Sequence, residues 1–230
     1  MKHVPLPASL IETAREYAEG ARVPATPRDA ATVLLLRDGA DGPEVHVMVR
    51  HRGMAFAGGM VAFPGGGVAA SDRAELPTDW PARLGAPPDV AAAVVGAALR
   101  EVEEETGVLL DLADLGLWDA WTTPEFEPRR YRTWFFVARM PAGQEARELS
   151  TESTSVHWTT AAAALARVDA GEWRMMPPTY VSMRRLGTFG SVAEVLSVTA
   201  DASVEMHTPE IRDGRLTVPE WAAVLFGDES

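Results

Sequence analysis

Arg100-Glu101-Val102-Glu103-Glu104-Glu105-Thr106-Gly107-Val108 is the stretch on which the reading of this chain turns. It closes a long apolar run, Val90-Ala91-Ala92-Ala93-Val94-Val95-Gly96-Ala97-Ala98-Leu99, whose period and composition predict a helix over about residues 89–106. At about 100° per residue, Glu101, Glu104 and Glu105 fall at 0°, 300° and 40° and share one face. Glu103 falls at about 200°, away from them. Val95, Leu99 and Val102 gather on a neighbouring face suited to burial. Like charges at i,i+3 and i,i+4 repel, by a few tenths of a kcal/mol per exposed pair. A cation relieves that repulsion, and hard carboxylate oxygens suit Mg²⁺ or Mn²⁺. On this helix alone a solvated acidic face is an equal alternative. Arg100 and Glu104 then form an ordinary i,i+4 pair, and Gly107 an ordinary C-terminal cap.

The residues upstream shift that balance. Ala62-Phe63-Pro64-Gly65-Gly66-Gly67-Val68 is a short apolar strand running into a Pro-Gly-Gly turn. Glycines there let the backbone approach a ligand or metal closely and present bare carbonyls and amides. Together the two segments resemble the signature of the Nudix hydrolases. That signature is a glycine, a spacer, Arg-Glu, an aliphatic, any residue, Glu-Glu, any residue, glycine and an aliphatic. Residues 100–108 match its second half at every fixed position.

The spacing departs from the family pattern. A glutamate usually lies six residues past the glycine, with the arginine eight beyond it. Here Asp72 stands six past Gly66, and Arg100 is twenty-eight beyond Asp72. The extra stretch holds Pro77, Trp80, Pro81, Pro87 and Pro88, and it reads as an irregular inserted loop at about 73–88. Such a loop is expected to leave and re-enter beside the site and to shape its rim. Asp72 either takes over the role of the missing glutamate or begins the loop, and the second reading is preferred. A branch similar to the coenzyme A diphosphatases carries an insertion of this kind. In related members a partial motif precedes Phe-Pro-Gly-Gly. Arg50 and Gly59 match it, and Ala55 stands where an arginine is expected.

The resemblance implies an α/β fold: a Nudix-type α/β/α sandwich with a mixed β-sheet, plus N-terminal and C-terminal helical extensions. It implies a hydrolase that cleaves the pyrophosphate of a nucleoside diphosphate linked to another moiety, with a coenzyme A-like dinucleotide as the leading substrate. Glu101, Glu104 and Glu105 would hold Mg²⁺ or Mn²⁺, with the Gly65 carbonyl as a backbone ligand. Arg100 would orient the glutamates through charge-assisted pairs. A catalytically idle nucleotide-binding or regulatory domain is the alternative, and the intact Glu101, Glu104 and Glu105 argue against it. The family often adds a carboxylate from a later loop. Glu125, Glu127, Glu148 and Glu152 are the candidates. Glu152 leads, although an exposed acidic residue is the plainer reading of each. Arg129 and Arg130 are candidates for a substrate phosphate, equally readable as solvated surface arginines. Tyr131, Trp134 and Phe135 can stack a base, but aromatics in strands are mostly core.

Composition bounds the rest. The chain of 230 residues, 47% apolar and 23% charged, is expected to form one domain over 1–230, with a helical tail from about 178. It has no cysteine, so thiolate chemistry and disulfides are excluded. No apolar run reaches spanning length and no signal-peptide core is evident, so a cytoplasmic protein is expected. A net charge of −12 disfavours nucleic acid as a partner. The expected partners are a small nucleoside diphosphate derivative and a second copy in a homodimer. The histidines, His3, His46, His51, His157 and His207, show no ligand spacing and are read as structural.

Along the chain, a helix is expected over Ala8 to Glu19. Strands are expected over Ala31–Leu36, Val45–Arg50, Met60–Phe63, Leu117–Thr122, Arg132–Arg139 and Val156–Trp158. A helix follows at Ala161–Val168. Two more lie in Pro178–Val198, split near Gly187–Ser191, and a last hairpin turns around Arg212-Asp213-Gly214 within residues 203–219.

Overall fold

The computed structural model describes residues 12, 14–17, 20, 23–53, 57–212 and 215–226. Most of the expected N-terminal helix, His3, Ala55, and the turn residues 213–214 lie outside these. Residues 12 and 14–17 are helical.

One mixed sheet organises the chain. Its strands are β1 (Arg28–Gly39), β2 (Gly42–Arg50), β3 (Val61–Ala62), β4 (Gly65–Gly67), β5 (Leu115–Thr122), β6 (Tyr131–Arg139), β7 (Ser153–Thr160) and β8 (Met206–His207). The order across the sheet is β3-β2-β1-β6-β5-β8, with β4 also on β1 and β7 also on β2. β1 and β2 form the expected hairpin. β1 pairs parallel with β6 over nine residues, Arg28↔Tyr131 to Leu36↔Arg139. β9 (Ile211–Arg212) and β10 (Arg215–Leu216) form the expected terminal pair.

Alternation along β1 explains the layers. Ala31, Val33 and Leu35 point to one face and pack with Val94, Val95, Ala98 and Val102 of the long helix. Leu34 and Leu36 point to the other face and pack with Ala164, Tyr180, Met183 and Val195. A sheet that is apolar on both faces must be covered on both. The covering helices on the second face are α3 (Ala161–Asp169), α4 (Pro177–Leu186) and α5 (Val192–Thr199). The sequence expectation of an α/β sandwich therefore holds, and so does the split of the tail into two helices. A short helix, α6 (Glu220–Ala223), follows the terminal pair.

Residues 73–88 differ from the loop expected of them. They contain a helical turn, α1 (Trp80–Leu84), with Pro81 in its first turn, where proline is tolerated. Trp80 and Leu84 are buried beside the long helix, α2 (Pro88–Thr106). The Trp134 indole N–H donates to the Leu84 carbonyl at 2.9 Å. Arg83 Nε donates to the Ala202 carbonyl at 3.0 Å. Gly96 lets the backbone of Arg73 cross α2, since a Cβ there would sit 2.4 Å from the Arg73 nitrogen. The segment leaves α2 in its expected register and builds core. Trp80→Ala should cost about 3–5 kcal/mol of stability, read as a shifted urea midpoint.

His46 on β2 is 1% exposed, and neither ring nitrogen has a hydrogen-bond partner among the described residues. It meets Trp158 edge-on at 5.3 Å between ring centroids. Burial, with a smaller push from Arg37, lowers its pKa from 6.5 to about 4. The unfolded chain therefore binds a proton that the native state refuses. The contribution of His46 to native stability should fall as pH drops from 6.5 toward 4, by about 3 kcal/mol across the window, against the opposite contribution of Glu105 and Asp119, whose carboxyls burial pushes up. Urea titrations of the wild type and His46→Phe at several pH values read this contribution as the difference between the two curves. The variant should gain on the wild type as pH drops from 6.5 toward 4, without loss of stability at pH 7, because it removes two unpaired polar atoms and keeps a ring.

Candidate active site

The β3–β4 glycine turn, the last two turns of α2, the β5–β6 loop, residues 149–152 and residues 176–179 are among the pieces of chain that meet around a cavity of about 710 Å³. The turn is pinned to β1. Thr32 Oγ1 donates to the Pro64 carbonyl at 2.8 Å, and the Val33 amide to the same oxygen at 2.9 Å. This pinning lays Gly65–Gly67 against Thr32, Ala31 and Ala30.

The glycines then admit α2. The carboxylate of Glu101 lies over Gly66 so closely that a Cβ there would be 2.2 Å from Oε1. The Gly65 amide donates to Glu105 Oε2 at 2.8 Å. Any side chain at Gly66 would push Glu101 out of the cavity, so the glycine turn and the acidic helix are complementary surfaces.

Arg100 organises the charges. Its Nε and Nη2 donate to the two oxygens of Asp72 at 2.8 and 2.9 Å. Nη1 donates to Glu101 at 2.8 Å and Glu104 at 2.9 Å, and Nη2 also reaches the Gly67 carbonyl at 3.1 Å. Asp72 is 6% exposed and also accepts from the Ala69 amide at 2.7 Å. It is therefore the anchor of Arg100, and the preferred sequence reading, in which it merely begins a loop, is corrected. The Arg100 guanidinium holds the Asp72 carboxyl below its ordinary pKa.

The acids facing the cavity behave oppositely. Burial, with the charges of Glu101 and Glu152 nearby, pushes Glu105 up to about 7 against its bond from the Gly65 amide. Burial also raises Glu101, against Arg100. Glu104 lines the cavity and is exposed; Glu103 is exposed and takes no part in the lining. Among the described residues, no three acidic or imidazole groups close into a cage; Arg100 bridges Glu101 and Glu104, and the Gly65 amide holds Glu105. The donor set is nonetheless hard oxygen throughout. It is short of positive charge at Glu105, which fits a divalent ion.

Sequence candidates outside the helix sort by position. Glu127 and Glu152 line the cavity, and Glu125 and Glu148 do not. Glu148 instead accepts from the Ser153 hydroxyl at 3.1 Å. Arg129 lines the cavity. Arg130 is turned away, with Nε on the Thr123 carbonyl and Nη1 on the Ala25 carbonyl, both at 3.0 Å, so it braces a loop rather than facing a phosphate. On β6, Tyr131, Thr133 and Phe135 line the cavity, whereas Trp134 points into the α2 core, as the period of two requires. Arg50, matched in sequence only as part of a motif, lines the cavity with its Nε buried and unpaired among the described residues. Residues 73–88 contribute nothing to the lining, which corrects the expectation that they shape the rim.

A family model for the NUDIX domain matches residues 26–178. The chain belongs to the NUDIX family. It is similar to a NUDIX hydrolase from Alicyclobacillus acidocaldarius, with 27% identity, a TM-score of 0.65, and coverage of 79% of this chain and 99% of that one. A MutT/nudix family protein from Enterococcus faecalis matches at 23% identity and TM-score 0.42, covering 66% of this chain and 51% of that one. A MutT NUDIX hydrolase from Burkholderia pseudomallei matches at 18% identity and TM-score 0.48, covering 69% and 97%. No curated protein matches the chain. NUDIX enzymes hydrolyse pyrophosphate bonds, in general with a divalent metal, and this chain is a hydrolase of that kind. No helix of the described residues is long and apolar enough to cross a membrane.

The Asp72 anchor carries a prediction. Asp72→Ala should cost about 1–3 kcal/mol and free Arg100 from its bidentate grip. Turnover should fall as Glu101 and Glu104 lose their fixed positions. Urea melts and steady-state kinetics on one preparation read both effects.

Proposed function

We propose that this NUDIX enzyme cleaves the pyrophosphate of a nucleoside diphosphate linked to another moiety, using Mg²⁺ or Mn²⁺ held by Glu101, Glu104, Glu105 and the Gly65 carbonyl. The observation that carries the reading is the seating of Glu101 and Glu105 on the glycine turn, with Arg100 bridging Glu101 and Glu104. Within the class, a coenzyme A-like dinucleotide is the first substrate to test, on the strength of Arg50 and Gly59 ahead of Phe63-Pro64-Gly65-Gly66. Residues 1–230 are read as one domain with a helical tail from about 178.

Bound metal would neutralise pyrophosphate charge and lower the pKa of a bound water. The chain's own residues do the rest. Arg100 positions Glu101 and Glu104 and is itself positioned by Asp72. Gly65 holds Glu105 through its amide. Glu152 is the later carboxylate of this reading, because its charge is felt by Glu105 and it lines the same cavity. In this role it accepts the proton of the attacking water as the new P–O bond forms and the bridging P–O bond breaks. Its backbone carbonyl is fixed by the His51 amide at 2.7 Å. Arg50 and Arg129 supply the guanidinium groups for the two phosphates.

The test is turnover of coenzyme A, ADP-ribose, NADH, dinucleoside polyphosphates and nucleoside triphosphates with Mg²⁺ or Mn²⁺, products separated by chromatography. Excess EDTA should abolish activity. Glu104→Gln and Glu105→Gln should each lower kcat by orders of magnitude with the fold intact, and Glu103→Gln should be nearly silent. Full turnover in EDTA, or damage confined to Glu103→Gln, overturns the reading.

A further inference from the structure

The wall of the cavity is chemically divided. One stretch carries Glu101, Glu104, Glu105, Glu152 and Arg50. Another belongs to the loop between β5 and β6, with Pro124, Glu127 and Arg129, beside Tyr131.

That loop is closed firmly at its base. The Thr123 amide donates to the Tyr131 carbonyl at 2.9 Å, and the Tyr131 amide to Thr123 Oγ1 at 3.0 Å. Arg130 ties the Thr123 carbonyl to Ala25. Inside the loop the Glu127 amide turns back to the Pro124 carbonyl at 3.2 Å. The result places Glu127 on the cavity wall.

Glu127 is half-buried, and among the described residues its carboxylate has neither a hydrogen-bond donor nor an ion-pair partner. Burial alone raises its pKa; no neighbouring charge contributes. Glu105 differs, because it feels both Glu101 and Glu152. Glu127 also sits on a different piece of chain from the acidic cluster, in which Arg100 holds Glu101 and Glu104 and Arg50 pairs with Glu152 at 3.6 Å. Its oxygens are not sealed from solvent, so a donor entering the cavity can reach them, and a half-buried carboxylate gains by such pairing. An ionised carboxylate only accepts, so it repels phosphate and pairs with N–H.

We propose that Glu127 is a specificity-determining residue whose carboxylate accepts a hydrogen bond from an exocyclic amino group on the base of the substrate. The inference rests on the nucleoside reading above and adds the feature of the base that is read. It predicts discrimination of the kind expected when an acceptor that the bound base covers is left unpaired by the wrong ligand.

The experiment uses the full chain in EDTA, so that binding is read without turnover. AMP is titrated against purine riboside 5′-monophosphate, and GMP against IMP, by calorimetry; each pair differs by one amino group. The wild-type protein should bind the amino-bearing member of at least one pair tenfold or more tightly. Glu127→Ala should bring that gap within about twofold, and Glu127→Gln, which keeps one acceptor oxygen, should leave an intermediate gap. Matching thermal melts establish that the variants fold. No gap in either pair, no binding of any monophosphate, or a gap unchanged in Glu127→Ala overturns the proposal. In turnover with metal, Glu127→Ala should raise KM at constant kcat; a fall in kcat at constant KM would make Glu127 a proton-transfer residue and also overturn it. Absence of all metal-dependent turnover with the binding gap intact would instead sink the hydrolytic reading alone.

Discussion

The paired hydrogen bonds from Arg100 to Asp72 are the constraint on which the site depends. Three glutamates on one helix face repel one another, and two of them are drawn out of water. Arg100 offsets that repulsion only if its guanidinium stays on the cavity side of α2. Left to itself, a long arginine side chain would exchange among rotamers and pair with whichever carboxylate was nearest. The two Asp72 oxygens take Nε and Nη2 and leave Nη1 directed at Glu101 and Glu104. A lysine at position 100 could neutralise the charge but could not divide its donors in this way.

The backbone supplies the matching half. β4 is nothing but three glycines, bonded to β1 on one side and facing α2 on the other. The absence of side chains lets the carboxylates of Glu101 and Glu105 reach the main chain. Sheet, turn and helix thus meet with no intervening layer, and the acidic groups inherit the rigidity of the sheet.

How much of this was legible in the sequence depends on the kind of signal. The helix at residues 88–106 and the placement of Glu101, Glu104 and Glu105 were readable because period and motif agree. Residues 73–88 misled, because their prolines suggest an irregular loop. Burial of Trp80 against α2 is a tertiary fact with no local trace. The role of Asp72 leaves no local trace for the same reason: its partner lies twenty-eight residues on, at a distance no local pattern encodes. Arg129 and Arg130 are chemically identical neighbours, and only the path of the loop turns one inward and ties the other to Ala25. On β6 the alternation rule alone separates Trp134 from Tyr131 and Phe135, but it needed the sheet to say which face was the cavity.

The parallel pairing of β1 with β6 has a kinetic consequence. About a hundred residues separate the paired strands, and everything that makes the glycine turn and the acidic helix lies within that loop. Closing so long a loop is slow, because its entropy is lost before the contacts that compensate for it form. α2 and the β1–β2 hairpin can form from local contacts, but the cavity wall contributed by β6 arrives only with the central closure. The acidic face of α2 therefore stays solvated in early folding species, where its mutual repulsion is weak. The electrostatic burden of the site falls on the native state, and it is imposed only after the sheet is present to hold it.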